Sequence, residues 1–219
     1  SWVSIKCEPT NQGENVRLYH FMPKEYAISS IDQSRLKVAT LKSMNDPYEF
    51  HFLLDGFNKD EIEHYFKNHF NKKLGFLCFS RNLQNPVQWA HYADNHRGVC
   101  LEFEIPDDLL QKIDYLDSPA QLSPNDDNWR EEIAGITRTK YKGWAYEEEY
   151  RIPVNLEEKS VSEESGLYFV DYDGCITPKQ VFLGLRCELS AKEIEVFESN
   201  SIPVARMAQD SKSYSIVCA

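Results

Sequence analysis

The sequence predicts an α+β fold, and three observations predict it. Stretches with a two-residue apolar rhythm, such as Val99 to Ile105, read as strands. Between them stand helix-start signals: Asn85 before Pro86, and Ser190 with Glu193 three residues later. The two kinds of segment follow one another without a strict strand–helix–strand rhythm, which disfavours a doubly wound sheet. With 219 residues, 42% of them hydrophobic, the chain is long enough to bury a core without metals or disulfides. It divides into an N-terminal arm over residues 1–15, where Pro9, Asn11 and Gly13 mark turns, and a single domain over 16–219.

Val16 to Phe21 reads as the opening strand, with Arg17, Tyr19 and Phe21 on one side and Val16, Leu18 and His20 on the other. A helix from Glu25 to about Ser34 and a strand from Leu36 to Thr40 follow. Asn45-Asp46-Pro47 either builds a turn or lets Asp46 cap a helix with Glu49 in its first turn. Asp60 to His69 reads as an exposed helix. Leu74 to Ser80 is almost continuously apolar, as a central strand covered on both faces would be. The helix opened by Asn85 and Pro86 is expected to reach His96, with Gly98 as a left-handed stop. On it Trp89, Tyr92 and His96 share a face that serves either as core or as a binding stripe. In the next strand Val99, Leu101, Phe103 and Ile105 face the core, and Cys100, Glu102 and Glu104 face out. A short helix starts near Asp107, residues 117–128 form a loop that suits a lid, and a helix covers Trp129 to about Thr139. Residues 157–165 read as an exposed loop; strands near 167–170, 179–184, 202–207 and 214–217, and a helix from Ser190 to about Asn200, complete the chain.

The net charge of −11 argues against a protein that coats nucleic acid through a basic surface, while leaving room for a local basic pocket. Six cysteines show no paired spacing of the zinc-ribbon kind, so no metal site is assigned, and Cys78 and Cys100 fall in apolar runs as buried thiols would. This usage points to a reducing cytoplasm, and no apolar run reaches membrane-spanning length.

The chemistry concentrates in Trp144 to Arg151, WAYEEEYR. Read as a strand, it puts Glu147, Glu149 and Arg151 on one face and Tyr146, Glu148, Tyr150 and Ile152 on the other. The two carboxylates would then stand roughly 6.5 Å apart at Cα, so that one pKa rises by repulsion while Arg151 draws the other down. An edge strand with surface glutamates, or a helix, also fits the local pattern. No dinucleotide fingerprint, phosphate loop, zinc-protease motif or serine elbow occurs.

Three blocks, SMNDPYE at 43–49, CFSRNLQNPVQWAHYADNHRGVCLEF at 78–103 and KGWAYEEEYRI at 142–152, together resemble a bacterial family, the domain-of-unknown-function 2971 family. More distantly, the order of residues resembles the mono-ADP-ribosyltransferases. That resemblance implies a mostly antiparallel split sheet with flanking helices, and NAD as a substrate. It implies Glu149 as the carboxylate that stabilises the oxocarbenium-like charge while nicotinamide leaves, with Glu147 orienting or deprotonating the acceptor. It further implies His20 or Arg17 on the adenylate side, Ser80 at the end of the central strand, and Trp89 or Tyr92 stacked on nicotinamide, with His96 and Arg151 also at the ligand.

The expected function is therefore an NAD-consuming ADP-ribosyltransferase-like enzyme, a toxin or anti-phage effector, with a small nucleotide ligand and a protein or nucleic-acid acceptor. Two alternatives stay open: a non-catalytic nucleotide- or protein-binding module using the Trp89–Tyr92–His96 face, and a metal-dependent phosphodiesterase using Asp46, Glu49, Glu147 and Glu149.

Overall fold

The computed structural model describes residues 14–54, 64, 68, 70–122, 128–172 and 174–219. The expected arm over 1–15, most of the helix expected at 60–69 and the middle of the loop at 117–128 lie outside the described residues. Strand β1 (Asn15–Met22), helix α1 (Lys24–Asp32) and strand β2 (Arg35–Thr40) open the chain, followed by β3 (Phe52–Leu54). Next come β4 (Leu74–Ser80), α2 (Pro86–Tyr92) and β5 (Val99–Pro106). Short strands β6 (Gln111–Lys112), β7 (Asp114–Leu116) and β8 (Ala120–Leu122) precede α3 (Trp129–Ile136), β9 (Thr139–Tyr141), a 3-10 helix η1 (Lys142–Glu147) and β10 (Glu149–Asn155). The last part holds β11 (Val161–Glu164), β12 (Leu167–Asp171), β13 (Thr177–Leu183), α4 (Ala191–Ser199), β14 (Val204–Gln209) and β15 (Ile216–Cys218).

The architecture is α+β, with a large, open and mostly antiparallel sheet. Its hub is β4. Along one edge β4 pairs with β10 over its whole length, from Leu74 opposite Asn155 to Ser80 opposite Glu149. Along the other edge it is shared: β2 pairs at Gly75 and Phe76, and β1 at Ser80. The sheet branches there, one arm running β2–β12–β11 and the other β1–β5–β13–β14–β15. Strand parity then decides what each face carries. Leu77 and Phe79 of β4 and Ile152 and Val154 of β10 enter the main core with Phe103 of β5 and Phe197 of α4. On the opposite face, Leu74 and Phe76 pack with Phe50 and Ile136 at one end, and Trp89, Cys100, Phe182 and Met207 form a third cluster at the other. Pro153 is accommodated because β6 pairs with β10 only at Tyr150 and Arg151.

Several expectations need correction. The helix of Asn85 and Pro86 begins as predicted, with the Asn85 side chain accepting from the Val87 N–H, but ends at Tyr92 rather than His96. Asp94, Asn95 and His96 all take left-handed backbone, which no helix continues through, while Gly98 does not. Gly98 is required for another reason: a Cβ there would lie 2.4 Å from the Met22 carbonyl oxygen. In β5, Cys100 and Glu102 are buried rather than outward, because the third cluster covers Cys100 and Arg17 pairs with Glu102. Asp107 opens only one 3-10 turn, and residues 161–164 of the expected loop form β11 against β12. The turn reading of Asn45-Asp46-Pro47 holds, with Asp46 Oδ1 accepting from Tyr48 N.

Among the described residues no helix is long and apolar enough to cross a membrane. Cys78 and Cys100 are free thiols as expected, as are Cys187 and Cys218. Cys175 is disulfide-bonded, a state that a reducing cytoplasm disfavours.

Gly98→Ala is expected to cost about 1–3 kcal/mol, because backbone must yield to the new methyl. Gly135→Ala, in α3 with open space at the Cβ position, is the matched control and should be neutral or slightly stabilising. Equal thermal midpoints for the two variants would contradict the close approach of Met22 to Gly98.

Candidate functional site

The face of the sheet between the Phe76 and Trp89 clusters is occupied by charge. Antiparallel register sets Glu149 opposite Ser80 and Arg151 opposite Cys78, so these four side chains share one face. The expected continuous strand from Trp144 is interrupted. Residues 142–147 wind as η1, Glu148 is left-handed with φ 45°, and only then does β10 begin. This break turns Glu147, at the end of η1, back towards Glu149, at the start of β10. Glu148 stays exposed, accepting from Asn82 Nδ2 at 2.8 Å.

Lys140 on β9 completes the group. Its Nζ donates to Glu147 Oε2 at 2.5 Å and to Glu149 Oε2 at 3.1 Å. Arg151 grips Glu149 with two bonds, Nε to Oε1 at 2.8 Å and Nη2 to Oε2 at 3.1 Å. Its Nη1 reaches Glu49 at 2.6 Å and the Thr137 carbonyl at 3.3 Å. The Glu49, Glu147, Glu149, Lys140 and Arg151 side chains are all buried. The other Glu147 oxygen accepts from the Tyr92 hydroxyl, which in turn accepts from Asn45 Nδ2 at 2.7 Å. Gln88 on α2 donates to the Glu147 carbonyl at 2.7 Å and to Ser80 Oγ at 2.9 Å. Tyr115 donates nothing to the carboxylates but accepts from Glu149 N at 2.8 Å.

These surroundings separate the two neighbouring carboxylates. Burial pushes Glu149 up, but Arg151 and Lys140 outweigh it and hold its pKa at about 2. Burial pushes Glu147 up as well, and there Lys140 and Tyr92 offset it only in part, so its pKa ends above 4.5. Lys140 keeps its charge: burial opposes it, and Glu149 and Glu147 more than compensate. Burial raises the Cys78 thiol well above its ordinary range, and the charge of Glu149 adds to this. The folded-state consequences have opposite signs. Glu149, lowered, contributes stability that is complete above 4.5 and is lost as pH falls towards 2. Glu147, raised, contributes stability that is complete below 4.5 and is lost as pH rises through its folded value.

Two features lie between this group and the surface or beside it. An aromatic rim of His91, Tyr92, Trp144 and Tyr146 stands over it, with His91 Nδ1 2.8 Å from the Tyr146 hydroxyl and Lys140 Nζ 5.1 Å from the Trp144 ring centre. Burial and Glu147 push Tyr146 up to about 12. Beside it lies a cavity of about 380 Å³ lined by Tyr48, His51, Leu116, Thr139, Lys140 and Tyr141. Lys140 is the residue common to the cavity and the carboxylate pair.

Of the residues singled out from sequence, Glu147, Glu149, Arg151 and Tyr92 meet here directly, and Ser80 joins through Gln88. His20 is one residue removed: its Nδ1–H donates to the Cys78 carbonyl at 2.6 Å, and the Cys78 thiol bonds Glu149. Burial lowers the His20 pKa. Three placements correct the expectation. Arg17 points out from β1 and pairs with Glu102 at 3.3 Å. Trp89 has no exposed surface, sits in the third cluster and donates to the Leu83 carbonyl, so it is unavailable for stacking. His96 lies past the helix end and lines a different cavity, with Arg186. Lys140, Gln88 and Thr137 were not foreseen. Lys140 stands in TKYKGW, where a lysine alternating with polar neighbours carries the pattern of an ordinary surface strand.

Comparison with family models, with curated proteins and with solved structures finds no match for this chain. The site is therefore argued from its own chemistry.

Arg151→Met leaves Glu49 and Glu149 buried without their guanidinium and is expected to cost about 3–5 kcal/mol. Urea unfolding at neutral pH measures it. A loss below about 1 kcal/mol would mean that the guanidinium is not what holds these carboxylates.

Proposed function

We propose that the chain cleaves an N-glycosidic bond of a nucleotide, as an NAD-consuming ADP-ribosyltransferase-like enzyme does, with Glu147 and Glu149 in divided roles. One observation carries the reading: two buried carboxylates bridged by a single ammonium, one held ionised and one raised towards neutrality. Two titratable groups driven apart by their surroundings are what acid–base assignment at one centre requires. When the bond between nicotinamide N1 and ribose C1′ breaks, its electron pair leaves with nicotinamide and positive charge grows on the ribose. A fixed negative field from the ionised group stabilises that charge. Glu147, with its raised pKa and its link to Tyr92 near the rim, takes the proton of the attacking acceptor or water. Both Glu149 oxygens are held by Arg151 and Lys140, so Glu149 acts here as the source of that field and as the anchor of Lys140. The cavity of about 380 Å³ beside Lys140 supplies the space for the ligand.

The three sequence blocks that resemble the domain-of-unknown-function 2971 family support one shared site. Asn45 and Glu49, then Gln88 and Tyr92, then Glu147, Glu149 and Arg151 belong to separate blocks and bond to one another.

A second reading, a nucleotide-binding module without turnover, is favoured by the saturation of the carboxylates: all four oxygens of Glu147 and Glu149 accept hydrogen bonds from the chain itself. The metal-dependent reading draws less support. The Lys140 ammonium already stands between Glu147 and Glu149, and no group of three His, Cys, Asp or Glu poised for a metal occurs among the described residues.

Nicotinamide release from NAD⁺ tests the proposal. Wild type should release it, Glu147→Gln should lose about 10²–10⁴-fold in rate, as expected for removal of a general base, and the exposed Glu148→Gln should match wild type. Calorimetric binding of NAD⁺ by wild type without any nicotinamide would leave the binding module in its place.

A further inference from the structure

We propose that a second cavity, of about 650 Å³, between the end of α2 and the β14–β15 hairpin, is an anion site for a small phosphate ester. Its walls share no residue with those of the cavity beside Lys140. Arg186 and Lys212 both line it, and neither has a carboxylate within salt-bridge distance among the described residues. In a chain of net charge −11, two unpaired cations facing one hollow form a local positive field. The carboxylate in the wall, Asp210, is already satisfied within its own loop. It accepts from Lys212 N at 3.0 Å, Ser213 Oγ at 2.5 Å and Ser215 Oγ at 3.4 Å.

His96 lines the same hollow. Its Nδ1 is shielded from water and has no hydrogen-bond partner among the described residues. A ligand in the hollow would therefore meet the rest of the ring rather than this nitrogen. The His96 backbone is also held in an uncommon state: Asp94, Asn95 and His96 are successively left-handed, at φ 43°, 51° and 68°. The turn is locked from both sides. His96 N donates to the Trp89 carbonyl at 3.2 Å, and Arg186 N donates to the His96 carbonyl at 2.9 Å. Gly184 permits this approach, since a Cβ there would lie 2.4 Å from that carbonyl oxygen. The strained turn thus fixes His96 and Arg186 beside each other at one wall. Burial and then the neighbouring Arg186 lower the His96 pKa, and an anion beside Arg186 would offset the second of these.

Two cations and the Ser211 hydroxyl match the doubly charged, many-acceptor surface of a phosphate group. The volume exceeds one phosphate and fits an ester of it. The ion enters without covalent chemistry.

Inorganic pyrophosphate titrated into the full chain is the probe. Calorimetry should show saturable binding, and the His96 imidazole nitrogen resonances should shift on the same isotherm. Arg186→Ala and Lys212→Ala, both at exposed positions where folding is not at stake, should each weaken binding at least about tenfold. Glu147→Gln should bind pyrophosphate as wild type does, which separates this site from the carboxylate pair. No heat and no His96 shift at millimolar probe, or equal affinity in Arg186→Ala and wild type, overturns the proposal.

Discussion

Lys140 and Arg151 are ion-paired with three buried glutamates, and the positions of five segments follow from that pairing. The turn of Asn45 to Glu49, the end of α2, the link from α3 to β9, the last residue of η1 and the first residues of β10 all end on this group. Each ion alone would be expensive to bury, and each is tolerated only because the others are present. Apolar side chains of similar volume would hold these segments together at least as well. What they would not supply is a carboxylate that stays charged beside one that readily takes a proton.

The branching of the sheet at β4 makes room for this arrangement. One face of β4 is committed to the main core through Leu77 and Phe79, while the other is divided between an apolar cluster at each end. The charged group fills the interval, with Arg151 lying 5.4 Å from the Phe76 ring centre. The apolar flanks keep water away and so sharpen the electrostatics. The cavity at Lys140 and the aromatic rim lie to the side of these flanks.

Much of the fold was legible because strand and helix periods are local properties. β4 was read to the residue, and β1, β12 and α4 to within two, since apolar runs and a capping box mark them directly. The Glu149–Arg151 face was legible for the same reason. Glu147 reached the group by a route the alternation does not contain, through a left-handed Glu148, and so the two glutamates were placed together from a wrong local structure. Trp89 and His96 show the converse failure. They follow helical spacing, yet the helix stops at Tyr92 and the sheet covers Trp89, and neither fact is written in the spacing. Lys140 and Gln88 were illegible because their partners are set by pairing of distant strands, with no trace in their immediate neighbours.

The claim on which the account turns is that Glu147 and Glu149 titrate apart. Carbon-13 NMR of their side-chain carboxyls across acid and neutral pH measures this directly. The account predicts that Glu149 stays ionised down to about pH 2 while Glu147 takes up its proton above 4.5. Two carboxyls titrating together near the ordinary value would contradict it.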